Sequence, residues 1–86
     1  MEISVELTLT PIQDEYEPAI IDFIKALRKS PLEVIETPLS TQVFGDYDEV
    51  MQVLQKEMKV ALEAIERGLL YVKIVKSNRA NYEPHF

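Results

Sequence analysis

Three side chains are the best candidates for chemistry in this sequence. They are Thr41 and Ser40, within TPLSTQVFGDYDEV (37–50), and Glu6 near the start. Read as a strand, residues 39–44 place Thr41 on one face with Leu39 and Val43, so a hydroxyl sits in an apolar row. Such a hydroxyl either bonds nearby backbone, which is the commoner outcome, or is aimed at a ligand. Two hydroxyls and a carboxylate can exchange hydrogen bonds with a small polar molecule. They do not by themselves make a nucleophile or a proton relay.

Other sources of catalysis are scarce. The single His85 lies in the last residues, and a general base needs a fixed partner and a cleft. No Ser-His-Asp set can be assembled from it. The chain has two Gly, too few for a Gly-rich phosphate loop, and the connection after the first apolar run, PIQDEYE, is acidic. There is no Cys, which removes disulfides and thiolate metal sites. Asp46, Asp48 and Glu49 have the look of a metal cluster, but acids at a helix start complement the helix dipole. The expectation is no catalytic residue, no metal and no required cofactor.

Composition narrows the partners. Fifteen acids against nine bases give a net charge of −6, which disfavours nucleic acid and anionic membrane surfaces. No apolar run approaches membrane-spanning length, and Glu2 and Glu6 interrupt any early leader-like run. These features point to a cytoplasmic protein. Eighty-six residues, 47% of them hydrophobic, suffice for one core and not for two.

The elements that must position these groups are legible from periodicity. Residues 1–11 alternate: Met1, Ile3, Val5, Leu7 and Leu9 share one face, and Glu2, Ser4, Glu6, Thr8 and Thr10 share the other. This is a half-buried strand ended by Pro11. Pro18 opens a helix whose stripe is Ile20, Phe23, Ile24 and Leu27, with Lys25, Arg28 and Lys29 near its end. Residues 32–37 and 39–44 are two strands joined so tightly at Thr37-Pro38 that they must form an antiparallel hairpin. Gly45 ends the second of them. Asp46 caps a long helix, with Glu49 at capping-box spacing and Gly68 just past its end. Its stripe runs through Tyr47, Val50, Met51, Leu54, Met58, Ala61, Leu62 and Ile65. Val53, Val60 and Ala64 widen it beyond what one sheet requires, as either extra core or a subunit contact. Residues 69–76 form a last strand, and 77–86 a polar tail, loosely held or docked on a neighbour.

The order βαββαβ implies an α+β, ferredoxin-like domain over residues 1–76. A four-stranded antiparallel sheet carries both helices on one face. An open sheet face, two edge strands and a broad helical flank favour self-association.

The stretch from Pro38 to Met51 also resembles the signature of the small thiamine-binding protein family. Members show a Pro, a Thr three residues later, a Gly, an acid, an aromatic residue and a DEVM-like run. Pro38, Thr41, Gly45, Asp46, Tyr47, Asp48, Glu49, Val50 and Met51 match this position by position. The TPI at Thr10–Ile12 and the acid at Glu6 fit as well, and the likeness spans about residues 3–75. Thr37 stands where the family often has Gly, and Phe44 where it often has an acid. The tail is shorter than is usual there. The resemblance implies a non-catalytic subunit of a homodimer or homotetramer that binds thiamine or its hydroxymethylpyrimidine portion. It also implies Thr41, Ser40 and Glu6 as ligand contacts, with Leu39 as a wall. The competing reading is a structural or regulatory oligomerisation module without a small ligand.

Overall fold

In a computed structural model describing residues Met1–Phe86, six elements follow in the expected order. They are β1 (Glu2–Pro11), α1 (Glu17–Lys29), β2 (Glu33–Glu36), β3 (Thr41–Asp46), α2 (Tyr47–Glu63) and β4 (Gly68–Val75). The sheet order is β2-β3-β1-β4, with every neighbouring pair antiparallel. The chain has the ferredoxin-like α+β fold.

The alternation of β1 decides the layers. Ile3, Val5, Leu7 and Leu9 are buried toward the helices. Ala19, Phe23 and Leu27 of α1 meet them at four-residue spacing, as do Val50, Leu54 and Ala61 of α2 at intervals of four and seven, one and two helical turns. β3 contributes Val43, paired with Val5 on one side and Val34 on the other. Full burial of a Leu or Ile side chain contributes about 1.5–3 kcal/mol. This one layer therefore supplies most of the driving force for folding.

Several boundaries differ from the sequence reading, each for a local reason. β3 begins at Thr41, not at residue 39. The Thr37 hydroxyl accepts the N–H groups of Leu39 (3.2 Å) and Ser40 (3.1 Å) and donates to the Ser40 carbonyl (3.1 Å). These bonds engage backbone groups that a ladder would need, so Leu39 and Ser40 lie in a turn. β3 also runs through Gly45 rather than ending there, because Gly45 and Asp46 pair with Ile3 and Glu2. Gly45 has φ of 152°, and a Cβ there would approach Val50 Cγ2 to 3.4 Å. The glycine lets β3 bend directly into α2. α2 stops at Glu63, before Arg67, and Gly68 is not its cap. Gly68 is the first residue of β4, opposite Pro11.

The tail is not loose at its start. The Ser4 hydroxyl donates to the Ser77 carbonyl (2.7 Å) and accepts the Arg79 N–H (2.8 Å), and Asn78 Nδ2 donates to Glu2 Oε1 (2.9 Å). Ser4, expected on an open face, is buried under the chain's own tail. Asp46 caps α2 as expected, accepting the Asp48 N–H at 3.2 Å, but no reciprocal Glu49 bond completes a capping box. On α1, Arg28 forms a two-pronged ion pair with Glu36 at the end of β2.

Two expectations follow. A Cβ at Gly68 would lie 2.7 Å from the Thr10 carbonyl oxygen and 3.0 Å from Pro11 Cα, both backbone atoms that cannot swing away. Gly68→Ala should therefore destabilise the fold by about 1–3 kcal/mol in urea unfolding. The Asp46 carboxyl is held below the usual 3.8 by the N-terminal ammonium and by the Asp48 and Glu49 N–H groups, against an opposing desolvation. A carboxyl with a lowered folded pKa gives stability that is fully present above its ordinary value and lost as pH falls through the folded one. Asp46→Asn should lower the urea midpoint at neutral pH and flatten its decline below about pH 4.

Candidate functional site

The register of β1 against β3 sets Thr41 opposite Leu7, both facing the helices. Thr41 is only 6% exposed, yet its hydroxyl makes no hydrogen bond within the protein. No side-chain polar atom is both sealed from solvent and unpartnered, so the Thr41 hydroxyl opens on a cavity. That cavity, about 220 Å³, is bounded by Leu7 and Leu9 of β1, Ile20, Phe23 and Ile24 of α1, and the turn 37–41. Its walls are aliphatic and aromatic, and its polar groups are few and placed. That is the usual make-up of a small-molecule site, at a size below the roughly 300–1,000 Å³ typical of drug-sized ligands.

The turn that forms the rim is tied down twice. Thr37 organises it from within, and the Thr8 hydroxyl donates to the Leu39 carbonyl at 3.4 Å. Leu39 lies at the rim with 86% of its surface exposed, so it is a lip more than the wall the sequence suggested. Ser40 also borders the cavity, and its hydroxyl donates to Glu6 Oε2 at 2.9 Å. Gln42 Nε2 reaches the same oxygen at 3.5 Å. Glu6 itself sits on the opposite face of the sheet from Thr41. The four expected site residues thus divide: Thr41, Ser40 and Leu39 share the cavity, and Glu6 touches it only through Ser40.

Several cavity residues were missed as site residues. Ile20, Phe23 and Ile24 read as an ordinary core stripe, and Phe23 does belong to the core as well. Their double role depends on α1 standing off from the 37–41 turn, which periodicity does not encode. Thr37 had a weaker signal, since Thr before Pro marks a turn without showing which groups its hydroxyl will bind, and Thr8 read only as a polar-face residue of β1.

A larger concavity, about 620 Å³, lies between α1 and α2 and is bordered by Lys25, Lys29, Lys56, Asp22 and Glu57. It is an open groove walled mainly by charged and polar side chains, so the smaller, mostly apolar cavity is the better candidate. No group of three or more His, Cys, Asp or Glu side chains is placed to hold a metal ion. No helix is long and apolar enough to cross a membrane.

Comparison with known proteins gives the family and the fold. The profile of the thiamine-binding protein family matches residues 5–83, and the chain belongs to that family. Among solved structures, a Thermotoga maritima protein provisionally assigned to thiamine biosynthesis or salvage superposes with a TM-score of 0.79. It shares 16% identity, over 90% of this chain and 85% of that one. A Streptococcus pneumoniae protein superposes with a TM-score of 0.83 at 24% identity, over 94% and 92% of the two chains. A Methanocaldococcus jannascii protein gives 0.72 at 20% identity, over 95% and 84%. At these identities the structural likeness speaks for the fold. No curated protein sequence matches significantly.

Because the Thr41 hydroxyl has no partner in the protein, removing it should cost the fold little. In urea unfolding without added ligand, Thr41→Val should stay within about 0.5 kcal/mol of the parent or exceed it. A clear loss of stability would show that the hydroxyl serves the fold instead.

Proposed function

We propose that this protein binds, without catalysis, the hydroxymethylpyrimidine portion of thiamine, free or within thiamine, in the cavity between β1, α1 and the 37–41 turn. One observation carries the proposal. The hydroxyl of a buried residue, Thr41, opens on a largely apolar cavity of about 220 Å³ and has no partner within the protein. An aminopyrimidine supplies the complement: ring nitrogens that accept, an exocyclic amine that donates, and flat faces that suit Leu7, Leu9 and Phe23. The cavity holds one ring more readily than two. The cationic thiazolium of whole thiamine would project past Leu39 and Ser40 toward the Glu6 carboxylate. Ser40, held by Glu6, would present its remaining acceptor capacity to the ligand.

Family membership supports a binding role, and the family is described by binding rather than by a reaction. No cofactor is required in this reading. The partners are the small molecule and further copies of the chain, as a homodimer or homotetramer, and not nucleic acid or membrane. The setting is cytoplasmic, in keeping with an acidic chain free of Cys. The alternative, an oligomerisation module without a ligand, draws support from the half-exposed Leu69, Tyr71, Val72 and Ile74 of the edge strand β4.

Titration calorimetry with hydroxymethylpyrimidine and with thiamine tests the proposal. Binding should be seen with both. Thr41→Val should weaken it by about 1–3 kcal/mol, or roughly five- to 150-fold, because a buried polar group of the ligand would then face a methyl. A folded protein that gives no heat with either compound at high concentration, and no shift in melting temperature, would leave the oligomerisation module as the surviving reading.

A further inference from the structure

Arg28 and Glu36 form the one polar bridge between α1 and the β2–β3 hairpin. Nε and Nη2 of the guanidinium donate to the two carboxylate oxygens, a fork that fixes the carboxylate's orientation as well as its place. Both side chains reach solvent, and an exposed ion pair adds little to stability. Its position says more. Arg28 lies one helical turn beyond Ile24, and Glu36 immediately precedes Thr37; Ile24 and Thr37 stand on opposite walls of the cavity. The register of β2 against β3 sets Glu36 opposite Thr41. The Thr37 N–H donates to the Ser40 carbonyl at 2.9 Å, so the next pair along, Glu36 and Thr41, is of the non-hydrogen-bonded kind, whose side chains stand closest. Facing Cβ atoms in such a pair are about 4.5–5.5 Å apart, within reach of a glutamate side chain. The Glu36 carboxyl is held below the usual 4.5 by its hydrogen bond to Arg28, so at neutral pH it is an acceptor only. A threonine hydroxyl is a natural donor to it, yet the Thr41 hydroxyl bonds nothing in the protein while Arg28 occupies the carboxylate.

We propose that Arg28 is a positioning residue of the candidate site: it draws the Glu36 carboxylate away from the cavity and so keeps the Thr41 hydroxyl free for a ligand. This rests on the reading of the cavity as a ligand site and adds what holds that site open. Neither Arg28 nor Glu36 borders the cavity itself. Their effect passes through Thr41. No other cation lies within ion-pair distance of Glu36; Lys25 and Lys29, the remaining bases on this half of α1, make no ion pair. Without the guanidinium the carboxylate is released to turn onto the hydroxyl that faces it across the strand pair. Thr41 would then be satisfied from within, and a charge would stand at the edge of an apolar space, which disfavours a neutral ring there. The bland reading is a staple that merely ties α1 to the hairpin. The two differ in what removing Glu36 together with Arg28 does: a lost staple stays lost, whereas a lost competitor leaves Thr41 free again.

A double-mutant cycle in urea unfolding reads the device without any ligand. Thr41→Val should leave the parent's midpoint unchanged or raised. In the Arg28→Ala background it should lower the midpoint, because there the hydroxyl has acquired Glu36 as a partner. In titration calorimetry, Arg28→Ala should weaken hydroxymethylpyrimidine binding roughly tenfold, since Thr41 must give up a bond to accept the ligand. Combining Arg28→Ala with Glu36→Ala should bring the affinity back to within roughly twofold of the parent. Equal effects of Thr41→Val in the two backgrounds would overturn the proposal, whether or not a ligand binds. A combined variant that binds as poorly as Arg28→Ala alone would also overturn it, in favour of the staple. A parent that binds neither hydroxymethylpyrimidine nor thiamine, while the two backgrounds differ as expected, would overturn the ligand reading and leave Arg28 as the residue that holds Glu36 off Thr41.

Discussion

The two-fold alternation of β1 is the constraint on which the other parts hang. This strand is central, hydrogen-bonded to β3 on one side and β4 on the other, and covered by both helices on one face. A slip of one residue would turn Ile3, Val5, Leu7 and Leu9 to solvent and bury Ser4, Glu6 and Thr8 against the helices. The register is therefore not negotiable. Through it, Thr41 is set opposite Leu7 and so faces the cavity, and Ser4 is placed where the tail can reach it. The same alternation puts Glu6 on the far face, which is why its contact with the cavity runs through the neighbouring Ser40 hydroxyl.

The architecture was readable because it rests on repeated signals. Alternation in residues 1–11, the Phe23–Leu27 and Val50–Leu54 spacings and the cap at Asp46 each agree with one fold, and none conflicts with it. What could not be read were events decided by single side chains meeting backbone. Thr37 turning its hydroxyl onto residues 39 and 40 delays β3 by two positions. The closeness of β1 to β4 makes Gly68 a packing glycine at a strand start where the sequence suggested a helix cap. Neither depends on hydrophobic period, so no window average reveals it.

The surroundings of the candidate residues were legible in part for the same reason. Thr41 stood out as a hydroxyl in an apolar row, and the question of its partner was posed by the sequence alone. The answer needed three dimensions, since the backbone bonds that commonly satisfy such a group go to Thr37 instead. A turn already held by the Thr37 and Thr8 hydroxyls would have little freedom left to lose to a ligand bound as proposed. Its rim is pre-formed, and ordering costs that would subtract from affinity are met on folding.

The strand order has a bearing on how the chain reaches this structure. β1 is the first element to be made, yet its partners β3 and β4 come about forty and sixty-five residues later. Contacts so distant along the chain are slow to form, because the entropy of closing the loops is lost before any pairing repays it. Until β4 arrives, one flank of the central strand has no partner and its apolar face is only partly roofed. A nascent or unfolding chain thus passes through a state in which its most hydrophobic strand is its least protected, the condition under which chaperone capture competes with aggregation.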